Sequence, residues 1–192
     1  MKKIILVGGG GHCKSVIDVI EQEGKFKIAG IVDQPKFLGS KILGYSVIGC
    51  DSDLKNLVKK YRYALITVGQ IKSSMLRKKL FNLVNSAKFI LPSIVSPLAY
   101  ISKHSSIGKG SIVMHNAIVN ANSLIGDNCI INSNALIEHD CTISQHCHIS
   151  TNATINGGVK VKSGCFIGSN ATIKQSVTIK ENSFIKACSF VK

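Results

Sequence analysis

The chain has 192 residues, enough for one or two domains with a substantial core. No apolar run approaches the ~20 residues of a membrane span, and the apolar stretch after Met1-Lys2-Lys3 ends at Gly8, shorter than the roughly 7–15 residues of a secretory h-region, so the protein reads as cytoplasmic. The net charge of +14 is split as 16 Lys+Arg against 6 Asp+Glu over residues 1–95 and 8 against 4 over the rest; with no Trp and no nucleic-acid motif, small phosphorylated ligands or plain solvated lysines account for it as well as nucleic acid does.

Residues 2–90 alternate strand and helix patterns. Ile4–Val7 reads as a strand, Gly8-Gly9-Gly10-Gly11 as a turn, and Ser15–Glu23 as a helix with Val16, Val19 and Ile20 on one face. Lys27–Val32 is a second strand ending at Asp33, and Tyr63–Val68 a third ending at Gly69. Ile71–Leu83 is a second long helix, with Leu76, Leu80 and Leu83 at helical spacing. Strand, glycine turn, helix, strand and acid form the start of a nucleotide-binding βαβ unit. Glycines there let a phosphate approach backbone N–H groups at a helix start, with Gly10 and Gly11 at that point and His12 closing the turn within reach of a ligand. The full dinucleotide fingerprint fails, because its last glycine falls on Cys13. A mononucleotide or nucleotide-sugar site is the better reading, against a turn that binds nothing. Leu91–Pro97 reads as a short stiff connection.

From Ile101 to Val191 every sixth residue is Ile or Val, and Asn-Ala recurs 18 residues apart at Asn116, Asn134, Asn152 and Asn170. A period of six inside a period of 18 means a triangular β-solenoid with three short strands per coil. The aliphatic residue points inward. The residue two places before it is small, as in Ser111, Ala117, Ser123, Cys129, Ala135, Cys141 and Cys147, and points into a cramped corner. The residue before that is usually Asn, Gly, Asp or His, which tolerate the left-handed backbone of a tight corner. Four of the seven cysteines are thereby compact core residues, and a metal site is not expected.

Within this wall Glu138-His139-Asp140 stands out. His139 follows the inward Ile137 and belongs on the outer surface. A histidine with an acidic neighbour can act as a general base near neutral pH; a solvated surface histidine is the plain alternative. His148, beside inward Ile149, lines the wall, and His146 sits at a corner.

With Ile5–His12, Asp18, Asp33, Val68-Gly69 and Ile137–Asp140 in an uninterrupted hexapeptide solenoid, nearly the whole chain resembles the bacterial sugar O- and N-acetyltransferases of the sialic-acid acetyltransferase type, including enzymes that acetylate UDP-linked 4-amino sugars. The resemblance implies a Rossmann-like α/β domain over residues 1–91 and a left-handed parallel β-helix over 92–192. It implies a homotrimer, acetyl-CoA as donor, and a nucleotide sugar on the N-terminal domain, with Gly10, Gly11, His12, Asp33 and Gly69 as its contacts. His139 is then the base, with Asp140 in place of the usual Glu, and Asn132, His148 and Gly157 match cofactor-groove positions. The family usually continues past the solenoid into a Gly-x-Pro-Ala-like tail, whereas this chain stops at Lys192, so the cofactor site is expected to be more open or the chain truncated. The expected reaction is acetyl transfer to the amino group of a UDP-amino sugar. O-acetylation of a sialic-acid-like sugar and a non-catalytic solenoid scaffold are the alternatives; an ice-binding surface is disfavoured, because its Thr residues form no flat Thr-x-Thr ladder.

Overall fold

The computed structural model describes residues 1–192 and divides them into two units. The first comprises Met1–Gly69 with Leu76–Pro92, the second Gln70–Met75 with Ser93–Lys192. No helix is long and apolar enough to cross a membrane.

The first unit is an α/β sandwich. Its strands are β1 (Lys2–Val7), β2 (Phe26–Val32), β3 (Lys41–Ile42), β4 (Tyr45–Gly49) and β5 (Tyr63–Ile66). They form one sheet in the order β3-β4-β2-β1-β5, parallel except for the edge pair β3–β4. The central strand β1 runs Ile4–Val7 fully buried, as a parallel strand covered on both faces should. Helices α1 (Gly11–Glu23), α2 (Leu54–Lys60) and α3 (Met75–Ser86) complete the unit. Strands β3 and β4 and helix α2 lie between Asp33 and Tyr63, where the sequence reading assigned no element.

Strands β1 and β2 start earlier than the sequence reading, and α1, β5 and α3 differ from it for local reasons. Helix α1 starts at Gly11 rather than Ser15, because Gly10 already takes the extended conformation of an N-cap. Strand β5 stops at Ile66, where Thr67 turns to donate its hydroxyl to the Gly8 carbonyl at 2.6 Å. Helix α3 is Met75–Ser86 rather than 71–83: Ile71 and Leu76 are exposed, and the buried face is Arg77, Leu80, Phe81 and Val84. The leucine spacing was a misleading guide, since an arginine occupies the inward position a leucine was expected to hold.

The second unit is a left-handed parallel β-helix. Its two-residue strands, from β6 (Ile94–Val95) to β22 (Phe190–Val191), recur every six residues and stack into three parallel walls. The coil begins earlier than expected: Ile94–Val95, read as connector, pairs in register with Ile112–Val113. The inward aliphatics are almost dry, as with Val119, Ile137, Ile149 and Ile155 at 0% exposure, and each such burial is worth ~1.5–3 kcal/mol.

The corners carry the cost of that regularity. At residues 110 to 188, again every sixth, the backbone is left-handed, with φ near +60° at Asn134, Asp140, His146 and Asn152. Of these fourteen corner positions eleven are Asn, Asp or Gly, the exceptions being His146, Ser176 and Cys188. The small residue that follows is Ala at several corners, Val at 159 and 177, and at six others a Ser or Cys whose tip bonds the next coil. Ser123 Oγ donates to the Glu138 carbonyl at 2.6 Å, and Cys129 Sγ to the Ser144 carbonyl at 3.2 Å. The Cys129–Cys147–Cys165 ladder is thus a column of carbonyl-bonded thiols. Hydrogen bonding to Cys129 pushes the Cys147 thiol up to about 12, so it stays neutral.

Asn134 donates its backbone N–H to the His115 carbonyl of the preceding coil at 3.0 Å from a φ of 58°. A β-branched residue cannot hold that conformation cheaply. Asn134→Val is expected to destabilise the protein by ~1–2 kcal/mol, while Asn134→Gly leaves it nearly unchanged, as read by thermal and urea denaturation.

Candidate active site

In the first unit, the four consecutive glycines divide into two pairs. A Cβ on Gly8 would sit 2.2 Å from Val68 Cγ2, and Gly8 has φ +103°. A Cβ on Gly9 would sit 2.3 Å from Ile42 Cδ1. Packing alone requires those two to be glycine. Gly10 and Gly11 would meet nothing within 4 Å, so the space above them is open. They lie at the start of helix α1, where Gly10 is the N-cap without a side-chain bond and the Cys13 N–H turns back to the Gly10 carbonyl at 3.1 Å.

Asp33 is placed beneath this turn rather than above it. Its Oδ2 accepts from the Gly9 N–H at 2.8 Å and its Oδ1 from the Gln34 N–H at 2.7 Å. Gly69 flanks the turn from the other side; a Cβ there would lie 3.6 Å from His12 Cβ. The five residues expected to contact the sugar nucleotide therefore gather around one turn. Sequence reasoning missed Arg77, which is 1% exposed and donates from Nη1 to the carbonyls of Ile66 at 3.0 Å and Val68 at 2.6 Å. It ties off the end of β5 just before Gly69. No sequence signal separates it from a surface arginine.

In the second unit, His139 and Asp140 stand at the corner that follows β13 (Leu136–Ile137), and both are exposed. His139 Nδ1 lies 2.7 Å from Asp140 Oδ2. An ionised carboxylate only accepts, so Nδ1 carries the proton of this bond. The shorter reach of Asp relative to Glu does not prevent the bond, because the left-handed backbone at Asp140, φ 61°, turns the carboxylate back onto its neighbour. Hydrogen bonds from Asn122 and then His139 hold the Asp140 carboxyl below the usual carboxylate range. The imidazole lies against Gly157, where an added Cβ would be 2.8 Å from His139 Cε1 and 2.9 Å from Nε2. Glu138 is fixed by the Asn120 amide at 2.9 Å.

His148 and Asn132 form a second pair. Asn132 Oδ1 accepts from the Ser133 N–H at 2.8 Å, which turns its Nδ2 toward His148 Nε2 at 3.2 Å. His148 Nδ1 then donates to the Gln70 carbonyl at 2.5 Å, so this imidazole is neutral with its proton on Nδ1. Gln70, 2% exposed, donates from Nε2 to the carbonyls of His146 and Cys165 at 3.1 and 3.2 Å. Residues Gln70 to Ser74, of which Ile71 onward was expected to be helix, form a strap on the solenoid wall, with the Gln70 carbonyl on His148. The wall holding β15 (His148–Ile149) is the one opposite the His139 corner, since that corner joins the other two walls. A single chain therefore brings His139, Asp140 and Gly157 together, and Asn132 with His148, but keeps these two groups on opposite sides of the prism.

An α/β unit with a glycine turn before its first helix, followed by a left-handed hexapeptide β-helix with a histidine–carboxylate pair on its outside, is the architecture of a hexapeptide-repeat acyltransferase. Residues 3–84 match the family model of the PglD N-terminal domain, and residues 104–139, 122–157 and 140–175 match that of the bacterial transferase hexapeptide (six repeats). The structure of perosamine N-acetyltransferase from Caulobacter crescentus, in complex with CoA and GDP-perosamine, is similar with a TM-score of 0.93 and 30% identity, over 100% of this chain and 89% of that one. The acetyltransferase domain of PglB from Neisseria gonorrhoeae, in complex with acetyl coenzyme A, gives a TM-score of 0.90 at 27% identity, over 99% and 92% of the two chains. UDP-N-acetylbacillosamine N-acetyltransferase from Bacillus subtilis is 32% identical over 116 residues, 59% of this chain and 52% of that protein. The chain thus spans about half the length of that curated relative, and its match to another, an uncharacterized mimivirus protein, covers 21% of that protein. The chain belongs to the bacterial sugar O- and N-acetyltransferase family with a PglD-like N-terminal domain and hexapeptide repeats.

Because the folded-state affinity of Asp140 for its proton is lowered, its pairing is present above the unfolded Asp value of ~3.9 and is lost as pH falls through the lower folded value. Carbon-13 NMR of the Asp140 carboxyl should accordingly show a titration midpoint below ~3.9. A midpoint at or above that value would mean the His139 and Asn122 bonds are not held in solution.

Proposed function

We propose that this chain transfers the acetyl group of acetyl-CoA to the amino group of a nucleotide-linked amino sugar, with UDP as the nucleotide. The observation that carries the reading is the His139–Asp140 pair, in which Asp140 holds Nδ1 of an exposed imidazole beside a glycine that clears room for the ring. His139 Nε2 takes a proton from the sugar amine as its nitrogen attacks the thioester carbonyl. Asp140 holds Nδ1–H and balances the charge of the imidazolium that forms. As the C–S bond breaks, the proton passes to the departing sulfur and coenzyme A leaves as the thiol. General base catalysis of this kind contributes ~10²–10⁴ in rate.

The sugar nucleotide is assigned to the Gly8–His12 turn. Gly10 and Gly11 have no packing reason to be glycine, which supports a ligand's approach to the backbone there. Asn132 and His148 are assigned to the coenzyme groove, with the neutral imidazole of His148 fixed in one tautomer. Because His139 and His148 lie on opposite sides of one prism, a complete centre needs the wall of a second copy. This favours a homotrimer, as does the exposure of Ile118 and Leu124 on walls of the single chain. A cytoplasmic location suits both proposed substrates.

The reading is tested by incubating the protein with acetyl-CoA and UDP- or GDP-linked amino sugars and following the 42 Da gain of an acetyl group, on the order of one per amine, by mass spectrometry. Transfer to a UDP-amino sugar is expected; free thiol release without acetylated sugar would overturn the acceptor. His139→Ala should lower turnover by roughly 10²–10⁴-fold with acetyl-CoA affinity little changed, and more than about a third of wild-type turnover would remove it as the base. Gly10→Val projects only into open space and should leave the melting temperature unchanged. Calorimetry should show loss of nucleotide-sugar affinity, and unchanged binding would make the turn purely structural.

A further inference from the structure

The Glu138-His139-Asp140 step does not stand alone on its corner. Eighteen residues earlier, one coil away in the same corner column, Asn122 donates from Nδ2 to Asp140 Oδ1 at 2.6 Å. The other oxygen of that carboxylate, Oδ2, accepts from His139 at 2.7 Å. The contact reaches from one coil to the next because stacked strands rise ~4.8 Å per coil and both residues share the left-handed corner, with φ 59° and 61°. Asn152 and Asn170 make the same rung at another corner at 2.6 Å, so this is a bond the corner geometry favours. Only the Asn122 rung ends on a carboxylate that also holds an imidazole.

We propose that Asn122 is a positioning residue for the acetyl transfer proposed above, fixing the Asp140 carboxylate so that His139 keeps its proton on Nδ1 and its lone pair on Nε2. The inference rests on His139 acting as base, and its physical basis is solvent competition. The Asp140 side chain is 54% exposed and that of His139 60%. A carboxylate anchored at one oxygen in water rotates freely and shares itself among water donors, and a single exposed ion pair is worth little. With Asn122 on Oδ1, rotation would break two bonds instead of one. The same anchor explains how Asp serves where the family resemblance led to Glu: the shorter side chain stays over its own corner, within reach of both the neighbouring ring and the coil before it. Gly157 limits the ring from the other side, since any Cβ there would collide with Cε1 and Nε2. The imidazole is thus held by a bond on Nδ1, in space that Gly157 leaves free by lacking a Cβ.

The test uses Asn122→Gly in the full chain, because glycine accepts φ 59° and removes only the amide. Asn134→Gly, at a different corner, is the control. Nitrogen-15 NMR of the histidine rings, with the His139 signals assigned by their disappearance in His139→Gln, reads the tautomer without any substrate. The wild type and Asn134→Gly are expected to show His139 protonated on Nδ1. In Asn122→Gly the Nδ1 and Nε2 shifts should move toward each other as the tautomers mix. Turnover should fall roughly 3- to 30-fold, part of the full worth of the base, with KM changed less than about twofold. Unchanged His139 ring shifts in Asn122→Gly would overturn the proposal. Shifted rings with unaltered turnover would overturn its link to the reaction. The tautomer reading holds even if no acetyl transfer occurs in any variant, so failure of the proposed activity and failure of this role are told apart.

Discussion

The corner conformation is the constraint on which the rest of the solenoid depends. Each coil turns three times, and each turn needs one residue at φ near +60° followed by one small enough to point inward. An L-residue at such a corner costs ~1–2 kcal/mol unless it is Gly, Asn or Asp, so the repeat spends its short polar residues there. The return is a backbone whose corner N–H groups bond the coil before, as Asp140 does to Ala121 at 3.1 Å and Gly158 to His139 at 2.9 Å. With inward and corner positions committed, chemistry is confined to the outward positions and to the corner side chains. His139 and Asp140, the pair proposed for the reaction, take one of each. A carboxylate at a corner satisfies the backbone requirement and orients the imidazole with the same atoms.

The corners also decide which neighbours an active side chain has. Residues 18 apart share a column, so each outward group meets its predecessor and successor in the stack. Glu138 meets Asn120, Asp140 meets Asn122, and His139 meets Gly157 across the 18-residue step. Positions that look unrelated in the chain form one small polar cluster. The same rule places His148 between Ile130 and Phe166, with the ring edge-on to Phe166 at 5.2 Å, and the strap residue Gln70 closes it from outside.

In the α/β unit the organising feature is the junction of β1, β2 and β5 at their carboxyl ends. Thr67 holds the Gly8 carbonyl, Asp33 holds the Gly9 N–H, and Arg77 holds the carbonyls that follow β5. These buried or half-buried bonds fix a turn whose last two glycines remain open. A rigid frame beneath and an unobstructed backbone above suit the capture of an anionic ligand at a helix start.

The six-residue period by itself determined the solenoid, its inward residues and its left-handed corners, because each is a strictly local requirement repeated without interruption. The Gly8–Gly11 run and the Glu138-His139-Asp140 step were also legible, since those residue types are rare in their surroundings. Handedness was not, as periodicity is identical in either hand and only the resemblance supplied it. Helix α3 was misplaced because Arg77 occupies an inward position that hydropathy assigns to the surface, and only the tertiary structure supplies the carbonyls that satisfy it. The division of the four glycines into packing and open pairs depended on Val68 and Ile42, distant in sequence. The strap at Gln70, the bond from Asn122 and the contact of His139 with Gly157 likewise depend on which coil lies beside which. Such pairings are properties of the stack, and no single hexapeptide carries them.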